Sequence, residues 1–154
     1  MLTKIQSPGN GIGPMSSLDN SRWIDFPPVV DPRGCLTAIE SGRSIPFQIN
    51  RVYMVHDVVA DRGGHAHRDT EQVVLALAGS FHLKLSTPTE HKTFELDRLG
   101  RGVHIQPMTY IELSSFSPGA IALVLASTHY RKERSLRSWE EYVACFDRAE
   151  VNVP

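Results

Sequence analysis

No charge of one sign dominates this chain: 16 Lys and Arg stand against 17 Asp and Glu, a net charge of −1 at pH 7. Nothing in that balance supplies the basic face a nucleic-acid binder needs, although single arginines remain available to grip a phosphate. Cysteine is scarce. Cys35 and Cys145 lie far apart and show no C-x-x-C spacing, so a reduced intracellular protein is the expectation and one long-range disulfide the alternative. Long apolar runs are missing too. The longest, residues 120–126, falls far below the roughly 20 residues of a membrane span, and the first residues carry no apolar stretch of the signal-peptide kind. The expectation is a cytoplasmic protein with neither nucleic acid nor membrane as partner.

The chain has 154 residues, of which 41% are hydrophobic and 21% charged. That suits one globular domain with a sizeable core and is short for two. Residues 1–20 are rich in Gly, Pro, Ser and Asn. The cluster Gly9-Asn10-Gly11-Ile12-Gly13 lacks the preceding strand and following helix of a phosphate loop, so a flexible tail is expected there and a single domain over 21–150. From Trp23 onward short segments alternate with turn residues. Strands are expected at 35–40, 51–56, 72–78, 80–86, 91–96, 103–106, 109–113 and 120–126, with a loop through Asp61-Arg62-Gly63-Gly64. The run 72–78 is continuously apolar, as in a strand buried on both faces. Residues 80–86 alternate, with Phe81, Leu83 and Leu85 on one face and His82 and Lys84 on the other. Many short strands indicate an all-β sandwich or barrel. One short helix is expected at the C-terminus, opened by a Ser138-x-x-Glu141 capping box and packed through Leu136, Trp139, Val143 and Phe146.

His65-Ala66-His67 is the strongest chemical feature. In an extended segment residues two apart face the same side, so both imidazoles can enter one cavity. The pair has three readings: metal ligands, a proton-transfer couple, or an exposed turn. Neutral imidazoles suit carbon-acid chemistry near pH 7, and an enolate beside a ketone would then need donors or cations. Arg33, Arg51, Tyr53 and Arg62 are candidates for that role or for phosphate contacts. Three of them have a plainer reading: Arg33 as an exposed turn residue, Arg51 in a surface ion pair, Tyr53 as a core aromatic. The remaining histidines, His104 among them, show no such pairing and read as surface or satisfied residues.

The ordered motifs Asp31-x-Arg33-Gly34-x-Leu36-x-Ala38-Ile39-Glu40, Ile45-Pro46-Phe47-x-Ile49-x-Arg51-Val52-Tyr53, Arg62-Gly63-x-His65-Ala66-His67, Glu71-Gln72-Val73 and Gly79-Ser80 run over about 110 residues. Together they resemble the nucleoside-diphosphate-sugar 3,4-ketoisomerases, cupins related to the WxcM C-terminal domain. The resemblance implies a cupin-type jelly-roll barrel and a homodimer. It also implies an isomerase that moves the ketone of a dTDP-4-keto-6-deoxyglucose-type substrate from C4 to C3 with no cofactor. By that resemblance His65 and His67 are the catalytic pair, and Arg33 and Tyr53 bind substrate. The chain departs from the family at Met54, at Tyr110-Ile111 and at Ser135-Leu136-Arg137-Ser138-Trp139.

Metal-binding cupins carry an acidic ligand soon after His-x-His and a later histidine. Glu71 stands at such a spacing. The later region has Thr109, Tyr110, Ile111 and Glu112 after its proline, with His104 before it, so the ligand set is incomplete and no metal is expected. Two rivals to the isomerase remain: a metal-dependent cupin enzyme, and a non-catalytic sugar-nucleotide-binding module partnered with a transferase.

Overall fold

The computed structural model describes residues 18–150, the last two by backbone alone. Residues 1–17 of the expected tail lie outside them. Residues 18–20 do not belong to a tail. They form a 3-10 turn whose Leu18 is completely buried.

Among the described residues, twelve strands and one α-helix follow. They are β1 (Arg22–Asp25), β2 (Val29–Asp31), β3 (Gly34–Leu36), β4 (Arg51–Val55), β5 (Arg62–His67) and β6 (Gln72–Ala78). Next come β7 (Phe81–Ser86), β8 (His91–Leu96), β9 (Arg101–Ile105), β10 (Tyr110–Ser114), β11 (Ile121–Ala126), β12 (Ser135–Leu136) and α1 (Trp139–Glu150). One five-stranded sheet has the order β1-β9-β6-β11-β4 and the other β12-β5-β10-β7-β8. The β2–β3 hairpin stands apart as a third, two-stranded sheet.

The core follows from side-chain alternation. Phe81, Leu83 and Leu85 of β7 point inward with Phe94 and Leu96 of β8 and Ile111 and Leu113 of β10. They meet Val74 and Ala76, Val103 and Ile105, and Ala122 and Val124 of the facing sheet. Burying each large side chain contributes about 1.5–3 kcal/mol. β6 is buried on both faces, as its unbroken apolar run requires. Its Val73 and Leu75 face outward under Ile39, Ile45, Phe47 and Ile49. Those last residues explain why strand 35–40 stops early at Leu36: the chain leaves the hairpin to cover the outside of the first sheet.

The C-terminal helix begins near the expected place. Ser138 Oγ accepts from the Glu141 N–H at 3.1 Å, and the Glu141 carboxylate accepts from the Arg137 N–H at 2.9 Å. Leu136, Val143 and Phe146 pack as expected, but the structure differs from the expectation in three details. Leu136 belongs to β12, Trp139 remains 38% exposed, and the fully buried anchor is Tyr142. The Tyr142 hydroxyl donates towards the Met108 and Ser86 carbonyls. Together with Ala66, Tyr110 and Leu136, Tyr142 seals the outer face of the second sheet behind β5.

Candidate active site

The segment expected as a loop at 62–64 is the first half of β5, and it aims the histidines. Ile111 pairs with His65 but Glu112 pairs with Gly63, so Gly64 is an extra residue in the strand. Such a bulge bends a strand and redirects its side chains. Gly63 and Gly64 have φ of +94° and +72°, and a Cβ on Gly63 would lie 2.6 Å from the Ile111 carbonyl oxygen. Only glycine fits there. Beyond the bulge, Ala66 turns outward under α1, while His65 and His67 turn inward with ring centroids 4.9 Å apart.

Across the barrel, Arg51 and Tyr53 of β4 share the inward face, while Val52 and Met54 between them are exposed. The two histidines and these two residues border one cavity of about 540 Å³, completed by Gly63, Gly64, Tyr130, Ser135 and Arg137. The Arg51 guanidinium carbon lies 5.2 Å from the Tyr53 ring centre and 5.5 Å from that of Tyr130. The Tyr130 hydroxyl accepts from Arg137 at 3.0 Å. His67 Nε2 and Arg51 Nε are buried without a hydrogen-bond partner. Leaving such groups unpaired costs about 1–3 kcal/mol each, which a polar ligand in the cavity would recover.

Burial drives the His67 pKa down to about 4, helped by His65 and Arg51. The His65 pKa is lowered as well, again mainly by burial, but a backbone hydrogen bond with Gly63 opposes the shift. Both rings are therefore neutral at pH 7 and able to accept protons. Burial raises the Tyr53 pKa, so its phenol keeps its proton.

Of the six residues expected to form the site, His65, His67, Arg51 and Tyr53 come together. Arg33 and Arg62 do not line this cavity within the chain. Arg33 sits at the tip of the β2–β3 hairpin, paired with Asp31 at 2.6 Å, its side chain 90% exposed. Arg62 borders a neighbouring depression with Asp61, Lys84 and Glu112. Glu71, at the spacing of an acidic metal ligand, bonds His104 Nε2 at 2.8 Å instead. His104 packs beside Phe47, whose cluster covers the outside of the first sheet. Among the described residues no group of three or more His, Cys, Asp or Glu is placed to hold a metal ion. Cys35 and Cys145 carry free thiols.

Tyr130, Ser135 and Arg137 were missed as site residues. β12 pairs Ser135 with His67 and Leu136 with Ala66. Alternation from that register sends Leu136 outward and puts residues 135 and 137 on the side of the histidines. A two-residue strand carries no periodic signal by which to find it.

A two-sheet antiparallel barrel with paired neutral histidines, cations and a phenol lining one cavity has the cupin-like fold and a cavity equipped for proton transfer. Residues 19–147 match the family described as FdtA: WxcM-like, C-terminal, and the chain belongs to that family. It is 35% identical over 124 residues to the TDP-4-oxo-6-deoxy-alpha-D-glucose-3,4-oxoisomerase of Aneurinibacillus thermoaerophilus, covering 79% of this chain and 89% of the relative. QdtA, a sugar 3,4-ketoisomerase from Thermoanaerobacterium thermosaccharolyticum solved with TDP, superposes with a TM-score of 0.80. Its identity is 35%, over 90% of this chain and 100% of that one. A histidine-to-asparagine variant of QdtA holding TDP-4-keto-6-deoxyglucose also gives a TM-score of 0.80 at 35% identity, over 88% and 98% of the two chains. The chain is an isomerase of the 3,4-ketoisomerase type.

Proposed function

We propose that the protein converts a thymidine-diphosphate-linked 4-keto-6-deoxyglucose into its 3-keto isomer, with His65 as the carbon acid–base. The observation that carries this reading is the pair of neutral imidazoles facing Arg51 and Tyr53 in one cavity. A base removes the C3 proton, an enediolate forms across C3 and C4, and a proton returns to C4. A second proton passes from the C3 oxygen to the C4 oxygen, so the ketone moves and the atoms balance.

We assign His65 the carbon step: it leads the pair just beyond the glycine bulge, and a backbone hydrogen bond with Gly63 opposes the lowering of its pKa by burial. His67, whose pKa burial and the neighbouring His65 lower to about 4, handles the oxygen and solvent protons in this assignment. The Tyr53 hydroxyl donates to the oxygen on which charge develops. Arg51 and Arg137 stand at the cavity as diphosphate ligands, with Tyr130 between them.

The enzyme works as a cytoplasmic homodimer. Val29, Val30 and Leu36 on the hairpin and Val52 and Met54 on β4 are each more than half exposed. β4 is also an open sheet edge, and pairing would cover both features. The hairpin tip of one protomer then brings its Arg33 to its partner. The test is NMR of the keto sugar nucleotide in deuterated water. The expected result is ketone migration with partial deuterium at C4. Tight binding without migration would leave a binding module instead.

A further inference from the structure

We infer that Gln72 is a positioning residue that turns the Tyr53 hydroxyl into a hydrogen-bond donor aimed at the reacting oxygen. The inference rests on the place given to Tyr53 under the proposed function.

Gln72 opens β6 and is only 2% exposed. The rest of that strand's buried run, Val73-Val74-Leu75-Ala76, is apolar, and a leucine at 72 would continue it. A buried amide costs free energy unless it is hydrogen-bonded, so the fold by itself gives no reason for glutamine here. Its Nε2 donates to the Tyr53 hydroxyl oxygen at 2.8 Å.

The sheet register shows how the two residues meet. Ala126 of β11 pairs with Arg51 on one side and with Gln72 on the other. Directly opposed residues face the same side of a sheet, so Gln72, Ala126 and Arg51 form one inward-facing row. Tyr53 lies one pleat further along β4, beside Val124. Ala126, fully buried with a side chain of one methyl group, leaves Gln72 room to reach diagonally across β11.

A phenol that accepts one hydrogen bond from an amide still has its own proton to give. With the oxygen held by Gln72 from the protein side, that proton is left to point into the cavity that His65 and His67 also line. Charge builds on the sugar oxygens only as the carbon proton leaves. A donor fixed beforehand therefore acts mainly on the transition state. Without the amide the phenol can rotate its proton elsewhere.

The experiment is a double-mutant cycle on kcat and kcat/KM with the TDP-linked 4-keto sugar, using Tyr53→Phe, Gln72→Met and the double variant. Tyr53→Phe should lower kcat about 10²-fold, as loss of one oxyanion donor does. Gln72→Met keeps the volume and should lower kcat about tenfold or more with KM little changed. The double variant should be no worse than Tyr53→Phe alone. Gln72→Glu supplies an acceptor that captures the phenol proton, and should be at least as poor as Gln72→Met. It also stands in should Gln72→Met not fold. Additive losses in the double variant, or full activity in Gln72→Glu, would overturn the inference. Tyr53→Phe impaired with Gln72→Met fully active would overturn it and leave the site intact. Full activity in Tyr53→Phe would instead overturn the role given to Tyr53 in the proposed function.

Discussion

At the scale of single residues, the site depends on keeping two imidazoles uncharged in a buried, cation-bearing cavity. His67, at about 4, sits well below the ordinary 6.5, and His65 is lowered too. Activity should therefore stay level down to about pH 6.5 and fall only below it, as kcat/KM measured against pH would show. The same shifts act on stability. An unfolded histidine takes up a proton near pH 6.5 while folded His67 resists it until about 4. The contribution is thus fully present above pH 6.5 and is lost as pH falls from there towards 4. Urea unfolding at pH 7 and pH 5 should give the higher midpoint at pH 7. His65→Asn removes the titratable nitrogen and keeps a polar group of similar reach. It should lower kcat by about 10²–10⁴-fold with sugar-nucleotide binding largely intact. His67→Asn should also slow turnover but shift deuterium incorporation at C4, read by NMR.

Among the elements, β5 carries the two histidines to which we assign the chemistry, and its glycine pair sets their aim. Gly63→Ala forces a Cβ to within 2.6 Å of the Ile111 carbonyl oxygen at a φ of +94°. We expect about 1–3 kcal/mol of destabilisation together with a loss of kcat, since His65 follows the bulge. Thermal unfolding alongside turnover would check both, and an alanine variant with native activity would mean the bulge does not aim the ring. β12 and α1 hold β5 from its other side. Tyr142 lies against the back of Ala66, in the strand whose front presents the histidines. Ser135 and Arg137 reach the cavity only because two residues of β12 pair with β5.

Assembly belongs to the whole molecule. A protomer with an open β4 edge and an apolar hairpin standing off the barrel should be a symmetric dimer. Light scattering at micromolar concentration checks this, and a monomer would count against it. Arg33 gives the dimer a functional readout. It does not line its own chain's cavity, so weaker substrate binding by Arg33→Ala would support delivery of the hairpin by a second protomer. The expected effect is weaker binding with kcat little changed, because a phosphate contact acts on ground and transition states alike. Metal content is a further property of the whole molecule. Protein purified without chelator should carry well under one equivalent of zinc, iron, nickel or manganese, and turnover should survive chelation. A stoichiometric metal tied to activity would overturn the mechanism as written.

The sequence by itself determined the class of fold, the strands with clear alternation, and four residues that the fold brings to one cavity. Side-chain alternation is a local property, so β7 and the same-sided placement of His65 with His67 and of Arg51 with Tyr53 follow from spacing alone. The long buried run of β6 is equally legible. Tertiary structure decided what pairing across the chain controls. Gly63 and Gly64 look like a loop until β10 supplies the partner that makes them a bulge. Glu71 sits at a metal-ligand spacing, yet the sheet turns it to His104. Tyr130, Ser135 and Arg137 lie more than 60 residues beyond the histidines, and no local pattern relates them. Register between distant strands decides which of two faces a side chain takes, and only the assembled sheets set that register.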